Sequence, residues 1–343
     1  MSFLLNIFHD EKKEESVALV DIGLTSVAGA YAHYTEGASP ILIYSRHVPV
    51  EARKNEQPEA AMLRALQILG EALIREGIPA LARATGSGKV SGVLVSIDAP
   101  WQNTSVRTEH FEQGRSFVFT KDLVAEKLGR IGAAIHGKLL VDESIIGSIL
   151  NGYETNDPYG RRVHRASVVI LSSFVDEKVT GHILSVLRSI YHTNRIFTIA
   201  GSSLRFQAMR QIFPHERTAL IFDVVGPLTS IALLRKDIFV AAANVAGSAG
   251  SWMHDVMREL ADLAKHYPLP RTIFVLAREP EIVFLKKSLD AVKLSELWLS
   301  DNPPKIVFVL PSHLNGLVRQ ASETSHDPLL LLMALFWPRH TFN

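Results

Sequence analysis

The sequence contains no cysteine, and this absence excludes disulfide bonds, thiol catalysis and cysteine-ligated zinc. Acidic and basic residues nearly balance, with a formal net charge of +1, which argues against bulk attraction to nucleic acid. No run approaches the roughly 20 apolar residues that a membrane-spanning helix needs. The fractions of hydrophobic residues (47%) and charged residues (21%) are typical of a globular protein, and the absence of cysteine fits a reducing compartment.

Signatures of common enzymes are also missing. The 14 histidines are scattered without the paired spacing of a metal site, and no Gly-x-Ser-x-Gly motif marks a hydrolase nucleophile. The glycine-rich stretch 84–89 looks like a phosphate loop, but Arg83 and Val90 stand where that motif needs glycine and a hydroxyl residue. The sequence therefore predicts a plain turn there and structural roles for the histidines.

Two stretches far apart in the chain share one pattern. The first covers 17–31 and the second 219–233. In each, an apolar strand ends at an aspartate, Asp21 or Asp223, and a turn with glycine and hydroxyl residues leads into a second apolar strand. The sequence thus predicts one β-hairpin twice, and with it two related lobes.

The duplicated hairpin resembles the phosphate clamp of the actin-like ATPases. In that family the two turns face each other across a cleft and hold the phosphates of ATP, and the aspartates hold Mg²⁺ through water. The resemblance implies an α/β, actin-like (ribonuclease H-like) bilobed fold with ATP and Mg²⁺ as cofactors. It marks Asp21 and Asp223 as metal-linked and implies these cofactor-binding residues: Asp21, Gly23, Thr25, Ser26, Asp223, Gly226, Thr229 and Gly247.

The second turn departs from the family pattern. Pro227 has no N–H to donate to a phosphate, and Val225 and Leu228 add bulk where the family has glycine and threonine. After the predicted strand 272–277, charged residues and a proline replace the glycine loop that receives adenosine. Nucleotide binding is therefore expected to be weak or lost, and each aspartate either orients water on Mg²⁺ or caps its own turn.

Further motifs narrow the resemblance to the FtsA/PilM type of actin-like protein. These proteins carry a small extra subdomain with Asn-Gly-Tyr followed by Asp/Asn-Pro-x-Gly, and this chain has both motifs at 151–153 and 157–160. The stretch 327–337 resembles the closing Asp-Pro-then-apolar helix of the same family.

The order of predicted elements divides the chain into five segments. They are an N-terminal tail (1–15), the first part of the first lobe (16–99), a small inserted subdomain (100–165), the rest of the first lobe (166–216) and a reduced second lobe (217–343). Helices are expected over 58–76, 121–137, 176–192 and 252–267, and a strand over 166–174 is expected to return the chain to the first lobe.

These observations predict a non-enzymatic or weakly nucleotide-binding scaffold of a membrane-associated machine, in the cytoplasm at the inner face of the plasma membrane. PilM-like pilus assembly is favoured over FtsA-like division, because no linker and amphipathic helix follow 337. Expected partners are the cytoplasmic tail of a pilus or division protein, further copies of the chain, and, through apolar residues of the 1–15 tail, the membrane surface. No nucleic acid is expected.

The alternative is an active, ATP-binding FtsA-like division protein that polymerises at the membrane. A sugar or acetate kinase of the same superfamily is disfavoured, because the sequence shows neither its catalytic aspartate in an interdomain pocket nor its adenosine loop.

Overall fold

The computed structural model describes residues 14–131, 137–155, 157–225, 228–236, 238–246, 252–292, 294–298, 302–321 and 327–337. The strands are β1 (Glu14–Ile22), β2 (Ser26–Thr35), β3 (Ile41–Pro49), β4 (Gly92–Ile97), β5 (Gln102–Val118), β6 (Lys138–Leu150), β7 (Tyr153–Glu154), β8 (Arg162–Asp176), β9 (Ile196–Ala200), β10 (Ala219–Asp223), β11 (Leu228–Arg235), β12 (Ile238–Ala246), β13 (Thr272–Leu276), β14 (Lys305–Phe308) and β15 (Arg319–Gln320). The helices are α1 (Pro58–Ala72), α2 (Ile78–Thr85), α3 (Lys121–Ile131), α4 (Glu177–Tyr191), α5 (Gly201–Ile212), α6 (Trp252–His266), α7 (Glu279–Asp290) and α8 (Pro328–Phe336).

Two sheets of the protein share one arrangement of strands. The first is β15-β3-β2-β1-β4-β9 and the second is β12-β11-β10-β13-β14, so the second sheet corresponds to the first without its edge strand β15. In each, the strand that contains the predicted aspartate, Asp21 in β1 or Asp223 in β10, is antiparallel to its hairpin partner and parallel to the strand on its other side. The duplication predicted from 17–31 and 219–233 is therefore confirmed, and it extends from the hairpins to all the strands of the second sheet. We call the two sheets with their outer helices the first lobe and the second lobe.

Helices lie on both faces of each sheet, which explains the nearly continuous apolar runs of the central strands. α1 and α4 cover the outer face of the first sheet, and α6 and α7 cover the outer face of the second. α5 and α8 lie between the sheets, within one hydrophobic core that both sheets share. The fold is thus a layered α/β structure whose two lobes meet along a common core.

Helix α8 is buried on every side. Its first turn is capped by Asp327, whose side chain accepts a hydrogen bond from the Leu329 N–H at 2.9 Å, with Pro328 at the first helical position. All residues from Pro328 to Trp337 are buried, and the Tyr34 hydroxyl donates to the Ala334 carbonyl at 3.1 Å. The helix expected after Asp327 is confirmed, and its apolar surface fits a position inside the shared core.

A third, antiparallel sheet forms the small inserted subdomain, with the order β5-β8-β6-β7. α3 packs on it through a separate cluster that includes Phe111, Phe119 and Val124. The strand expected over 166–174 belongs to β8 of this sheet and not to the first lobe, because β8 pairs along most of its length with both β5 and β6. The chain therefore returns to the first lobe at α4.

Hydrogen bonds fix the small sheet to the rest of the protein. The Ser202 hydroxyl, on α5, donates to Thr104 Oγ1 at 2.9 Å, and Asn244 of the second lobe donates to Asn103 Oδ1 at 3.0 Å. These contacts hold the inserted subdomain beside the groove between the lobes.

Helix bounds differ in detail from the sequence expectation. The helix expected over 58–76 is interrupted by a π-helical turn, Leu73–Gly77, before α2. The helix expected over 121–137 is present as α3 over Lys121–Ile131, and 132–136 lie outside the described residues. Gly86 ends α2 with a φ of 75°, so the 84–89 stretch is the expected turn. Within the described residues, no helix is both long and apolar enough to cross a membrane.

Candidate functional site

The two predicted aspartates lie at equivalent ends of the central strands. Asp21 pairs with Ala28 across the first hairpin, and Asp223 pairs with Ser230 across the second. Asp21 is 1% exposed and Asp223 is 3% exposed. Arg278 of the second lobe lies 3.7 Å from Asp21, and Arg205 pairs with both Asp223 and Asp98, so both carboxylates lie where the two lobes face each other. We call this region the groove.

Arg205 is a buried ion-pairing residue that the sequence analysis did not identify. It extends from α5 and is 4% exposed. Its Nε donates to Asp223 Oδ2 and its Nη2 to Asp98 Oδ1, both at 2.7 Å. Burial alone would lower the pKa of the Arg205 guanidinium, but the carboxylates of Asp223, Asp98 and Asp21 raise it above its usual value. Arg205 is therefore a permanent positive charge between the two lobes.

Gly201 makes the approach of these groups possible. A Cβ atom at this position would lie 2.0 Å from Asp98 Oδ1 and 2.8 Å from Arg205 Nη1. Because such distances are sterically forbidden, only glycine at the start of α5 lets the carboxylate and the guanidinium lie so close to its backbone.

A second arginine, Arg278, reaches across the groove from the second lobe. It precedes α7, and its Nη1 donates to Ser26 Oγ at 2.5 Å and to His47 Nε2 at 3.0 Å. Its Nη2 lies 3.7 Å from Asp21 Oδ2, and a Cβ atom on Gly23 would meet that nitrogen at 3.1 Å. The Arg278 guanidinium thus covers the first hairpin turn, where the resemblance placed a phosphate.

His47 accepts the hydrogen bond from Arg278 through a neutral ring nitrogen. Partial desolvation, and then the positive charge of Arg278, lower the pKa of His47 below its usual 6.5. The contact requires the uncharged imidazole, and the lowered pKa favours that form at neutral pH.

Asp21 is buried without the partners that a carboxylate normally has. Neither of its Oδ atoms has a hydrogen-bond partner among the described residues, and the same holds for Asp98 Oδ2. Burial and the neighbouring Asp98 raise the pKa of Asp21 from 3.8 to about 7, against the lowering effect of Arg278 and Arg205. Asp21 therefore takes up a proton far more easily than an exposed aspartate.

The first turn uses part of its backbone internally. The Gly23 N–H donates to the Ser26 carbonyl at 2.9 Å, and the Thr25 carbonyl accepts from the Val50 N–H at 2.9 Å. Ser26 Oγ is taken by Arg278, and only the Thr25 side chain is exposed. Of the predicted phosphate ligands in this turn, one hydroxyl is thus accessible and one is engaged.

The second turn shows a packed hydroxyl in place of an open one. Thr229 is 2% exposed, and its Oγ1 accepts a hydrogen bond from Trp252 Nε1 at 2.7 Å. Of the other residues predicted to contact the cofactor in this lobe, Asp223 pairs with Arg205, and Gly226 and Gly247 lie outside the described residues. The described part of the turn thus ties β11 to α6.

Mg-ATP does not fit the described residues as they stand. The carboxylates of Asp98 and Asp223 already pair with a guanidinium, and a second guanidinium covers the turn at Gly23. A divalent cation near Asp21 would lie beside two arginines and be repelled by both. In the described portion of the chain, no three histidine, aspartate or glutamate side chains converge as a metal site.

The groove residues missed by the sequence analysis carried two recognisable signals. Asp98 follows an apolar strand just as Asp21 and Asp223 do, and parallel strands end at the same sheet edge. Arg205 is a charged residue in a segment whose neighbours Leu204 and Phe206 are core residues. A charge at such a position requires a buried counter-ion.

No protein-family model matches the chain, and no match was found among curated proteins. Solved structures do match. The chain is similar to a structure of the PilM–PilN type IV pilus biogenesis complex, with 12% identity, a TM-score of 0.57, and coverage of 93% of this chain and 96% of that one.

Weaker similarities have TM-scores under 0.5. They include a Bacteroides thetaiotaomicron protein with an actin-like ATPase fold (8% identity, TM-score 0.43, 88% and 93% of the chains) and the ethanolamine utilization protein EutJ from Carboxydothermus hydrogenoformans (12% identity, TM-score 0.40, 95% and 92%). With the duplicated sheets and the groove aspartates, the similarity at TM-score 0.57 shows that this chain has the actin-like ATPase fold.

Proposed function

We propose that this protein is a non-enzymatic scaffold of a membrane-associated machine, of the PilM-like type that takes part in type IV pilus assembly. It works at the inner face of the plasma membrane by binding protein partners and, through self-association, further copies of itself. The scaffold does not depend on ATP hydrolysis.

One observation carries the proposal. The groove that an actin-like ATPase would use for Mg-ATP is bridged by arginines of the chain itself, with Arg205 on Asp98 and Asp223, and Arg278 on Ser26. A nucleotide would have to displace short, buried, charge-assisted hydrogen bonds, which are among the stronger interactions in proteins.

The pilus assignment draws support from the extent of the structural similarity. The likeness to the PilM–PilN structure includes nearly all of both chains, and that structure is a protein–protein complex. The small inserted sheet is fixed beside the groove and gives the scaffold an additional surface. The partner proposed here is the cytoplasmic tail of a pilus protein anchored in the inner membrane.

The alternative, an ATP-binding division protein that polymerises at the membrane, is favoured by one observation. Both Asp21 oxygens lack a hydrogen-bond partner among the described residues. Such a carboxylate would suit a water-bound cation if the arginines moved aside.

Thermal unfolding with Mg-ATP separates the two functions. A ligand present at about 100 times its dissociation constant stabilises the folded state by about 2.7 kcal/mol. We expect no change in Tm up to millimolar Mg-ATP, with matched ionic strength as the control. A saturable increase would instead support the ATP-binding alternative.

Partner binding tests the scaffold directly. The full chain is titrated with peptides that match the cytoplasmic tails of single-span proteins encoded beside its gene, with scrambled peptides of the same composition as controls. We expect one tail to bind and its scrambled form not to bind. If no tail binds and cross-linking in host membranes captures only soluble metabolic enzymes, the proposal is wrong.

A further inference from the structure

Two like charges meet where the lobes face each other. Asp98 follows β4 of the first lobe and Asp223 ends β10 of the second, and they are 0% and 3% exposed. Two buried carboxylates that share a site repel each other and favour the unfolded state unless a cation lies between them. The groove therefore requires a positive charge at this point.

The chain supplies that charge from the helix between the sheets. The guanidinium of Arg205 makes one 2.7 Å hydrogen bond to each carboxylate, and its planar fork directs two donors along fixed lines. Glycine at 201 leaves room for the pair, since a Cβ there would lie 2.0 Å from Asp98 Oδ1. The glycine at 201 and the two hydrogen bonds of Arg205 thus both favour a buried cation at this point.

We propose that Arg205 is a built-in cation that takes the place of a metal ion between the lobes and joins them without any ligand. It neutralises the carboxylates of Asp98 and Asp223, each fixed to a different sheet. The lobes consequently stay together in the absence of nucleotide. This inference does not depend on which partner the scaffold binds.

The role of Arg205 as a cation can be separated from its role in packing by two substitutions of similar size. Arg205→Lys keeps the positive charge but loses the planar guanidinium with its two fixed donors. Arg205→Gln fills much of the same space without charge. We expect the Tm of the Gln variant to fall by on the order of 5–10 °C, since breaking a buried ion pair leaves charges uncompensated. The Tm of the Lys variant should fall by clearly less. Equal Tm values for the two variants would overturn the proposal.

A small cation should replace the missing side chain. In Arg205→Ala, about 10 mM Mg²⁺ or guanidinium should recover several degrees of the lost Tm, because a ligand that binds only the folded state stabilises it. The wild type should gain nothing beyond an ionic-strength control. If the Ala variant does not fold by itself, it is refolded from urea with and without each cation, and the cation should increase the folded fraction. No recovery with either cation, or a Mg²⁺-dependent rise in the wild type, would contradict the inference.

The matched control is Arg210→Ala, an exposed arginine on the same helix. Its Tm should stay within about 1 °C of the wild type, with no response to either cation, because exposed substitutions usually cost little. A loss as large as that of the Gln variant would mean that α5 is sensitive to any arginine removal.

Whether Arg205 holds the two lobes together can be tested by measuring the distance between them. Because the chain has no cysteine, Glu71→Cys on α1 and Val283→Cys on α7, both exposed, allow spin labels to be placed on opposite lobes. The distance distribution should be narrow in the wild-type background and unchanged by Mg-ATP, and Arg205→Gln should broaden it. A narrow, unchanged distribution in the Gln background would show that other contacts hold the lobes, and the lobe-joining claim would be wrong.

Discussion

Arg278 occupies in the second lobe the position that Asp98 occupies in the first. Asp98 lies two residues beyond the β4 residue that pairs with Asp21, and Arg278 lies two residues beyond the β13 residue that pairs with Asp223. Each of these positions faces the strand-end aspartate of the opposite lobe. On one side of the groove aspartate therefore meets arginine directly, and on the other two aspartates meet and need Arg205 between them.

Arg278→Ala is expected to destabilise the protein by about 1–3 kcal/mol, because Ser26 and His47 lose their donor and Asp21 loses its nearest cation. Urea unfolding of the variant measures this loss. Lys286→Ala, on the exposed surface of α7, is the control and should be neutral. The Tm of Arg278→Ala should still not change with Mg-ATP, because Arg205 remains in place. A Tm increase with Mg-ATP would mean that Arg278 alone blocks the nucleotide.

Asp21→Asn should remove a pH dependence of stability. The folded-state pKa of Asp21 is raised from 3.8 to about 7, so the folded protein binds a proton more tightly than the unfolded chain does. Its contribution to stability is therefore present below about pH 4 and is lost as the pH rises towards 7. The Tm advantage of the variant over the wild type should grow across this window and level off above it.

The comparison of wild type with Asp21→Asn also cancels the opposite effect of a nearby group. Because the pKa of His47 is lowered in the folded state, its contribution to the stability of the folded state falls as the pH falls. This effect occurs in both proteins and therefore cancels in the difference. Asp98, Arg205, Arg278 and Asp327 are the other charged groups that act on Asp21. A Tm difference that does not vary with pH would show that Asp21 is ionised in the folded state throughout.

Gly201→Ala should cost at least about 2 kcal/mol, because its Cβ would overlap Asp98 Oδ1 and push apart the contact with Arg205. Gly181→Ala is the matched control. Gly181 is exposed within α4, and the space that an alanine Cβ would take there is open, so this substitution should be neutral or stabilising by up to about 1 kcal/mol. Equal changes in the free energy of unfolding for the two variants, measured with urea, would contradict the close packing at the start of α5.

Thr229→Val should cost about 1–3 kcal/mol, because the buried Trp252 N–H loses its acceptor. The loss should be the same with and without Mg-ATP. Thr25→Val, at the exposed hydroxyl of the first turn, should change the free energy of unfolding by less than about 0.5 kcal/mol. A loss at Thr229 that appears only with Mg-ATP would instead assign its hydroxyl to a nucleotide.

The duplicated hairpins could be predicted from the sequence because buried strands with an aspartate at the end are local patterns. The same holds for α8, whose cap, proline and apolar run are contiguous. The sequence predicts the strand over 166–174 correctly but not its sheet, because sheet membership depends on pairing with β5 and β6, which are separate segments of the chain. Local periodicity contains no information about that partner.

The arginines of the groove could not be predicted in the same way. In the sequence, Arg278 is one of the charged residues that stand where the family has its adenosine loop, and this predicts only that adenosine binds poorly. That it reaches Ser26, 252 residues earlier in the chain, depends on how the two lobes face each other. Arg205 likewise joins residues that are distant in sequence, and its counter-ions come from two different sheets.

The burial of α8 against β2 has a consequence for synthesis on the ribosome. The Tyr34 hydroxyl bonds to the Ala334 carbonyl across 300 positions of chain. At about 5–20 residues per second, β2 emerges roughly 15–60 s before the helix that completes its inner face. During that interval the nascent first sheet exposes an apolar surface, and we expect cellular chaperones to hold it until translation delivers α8.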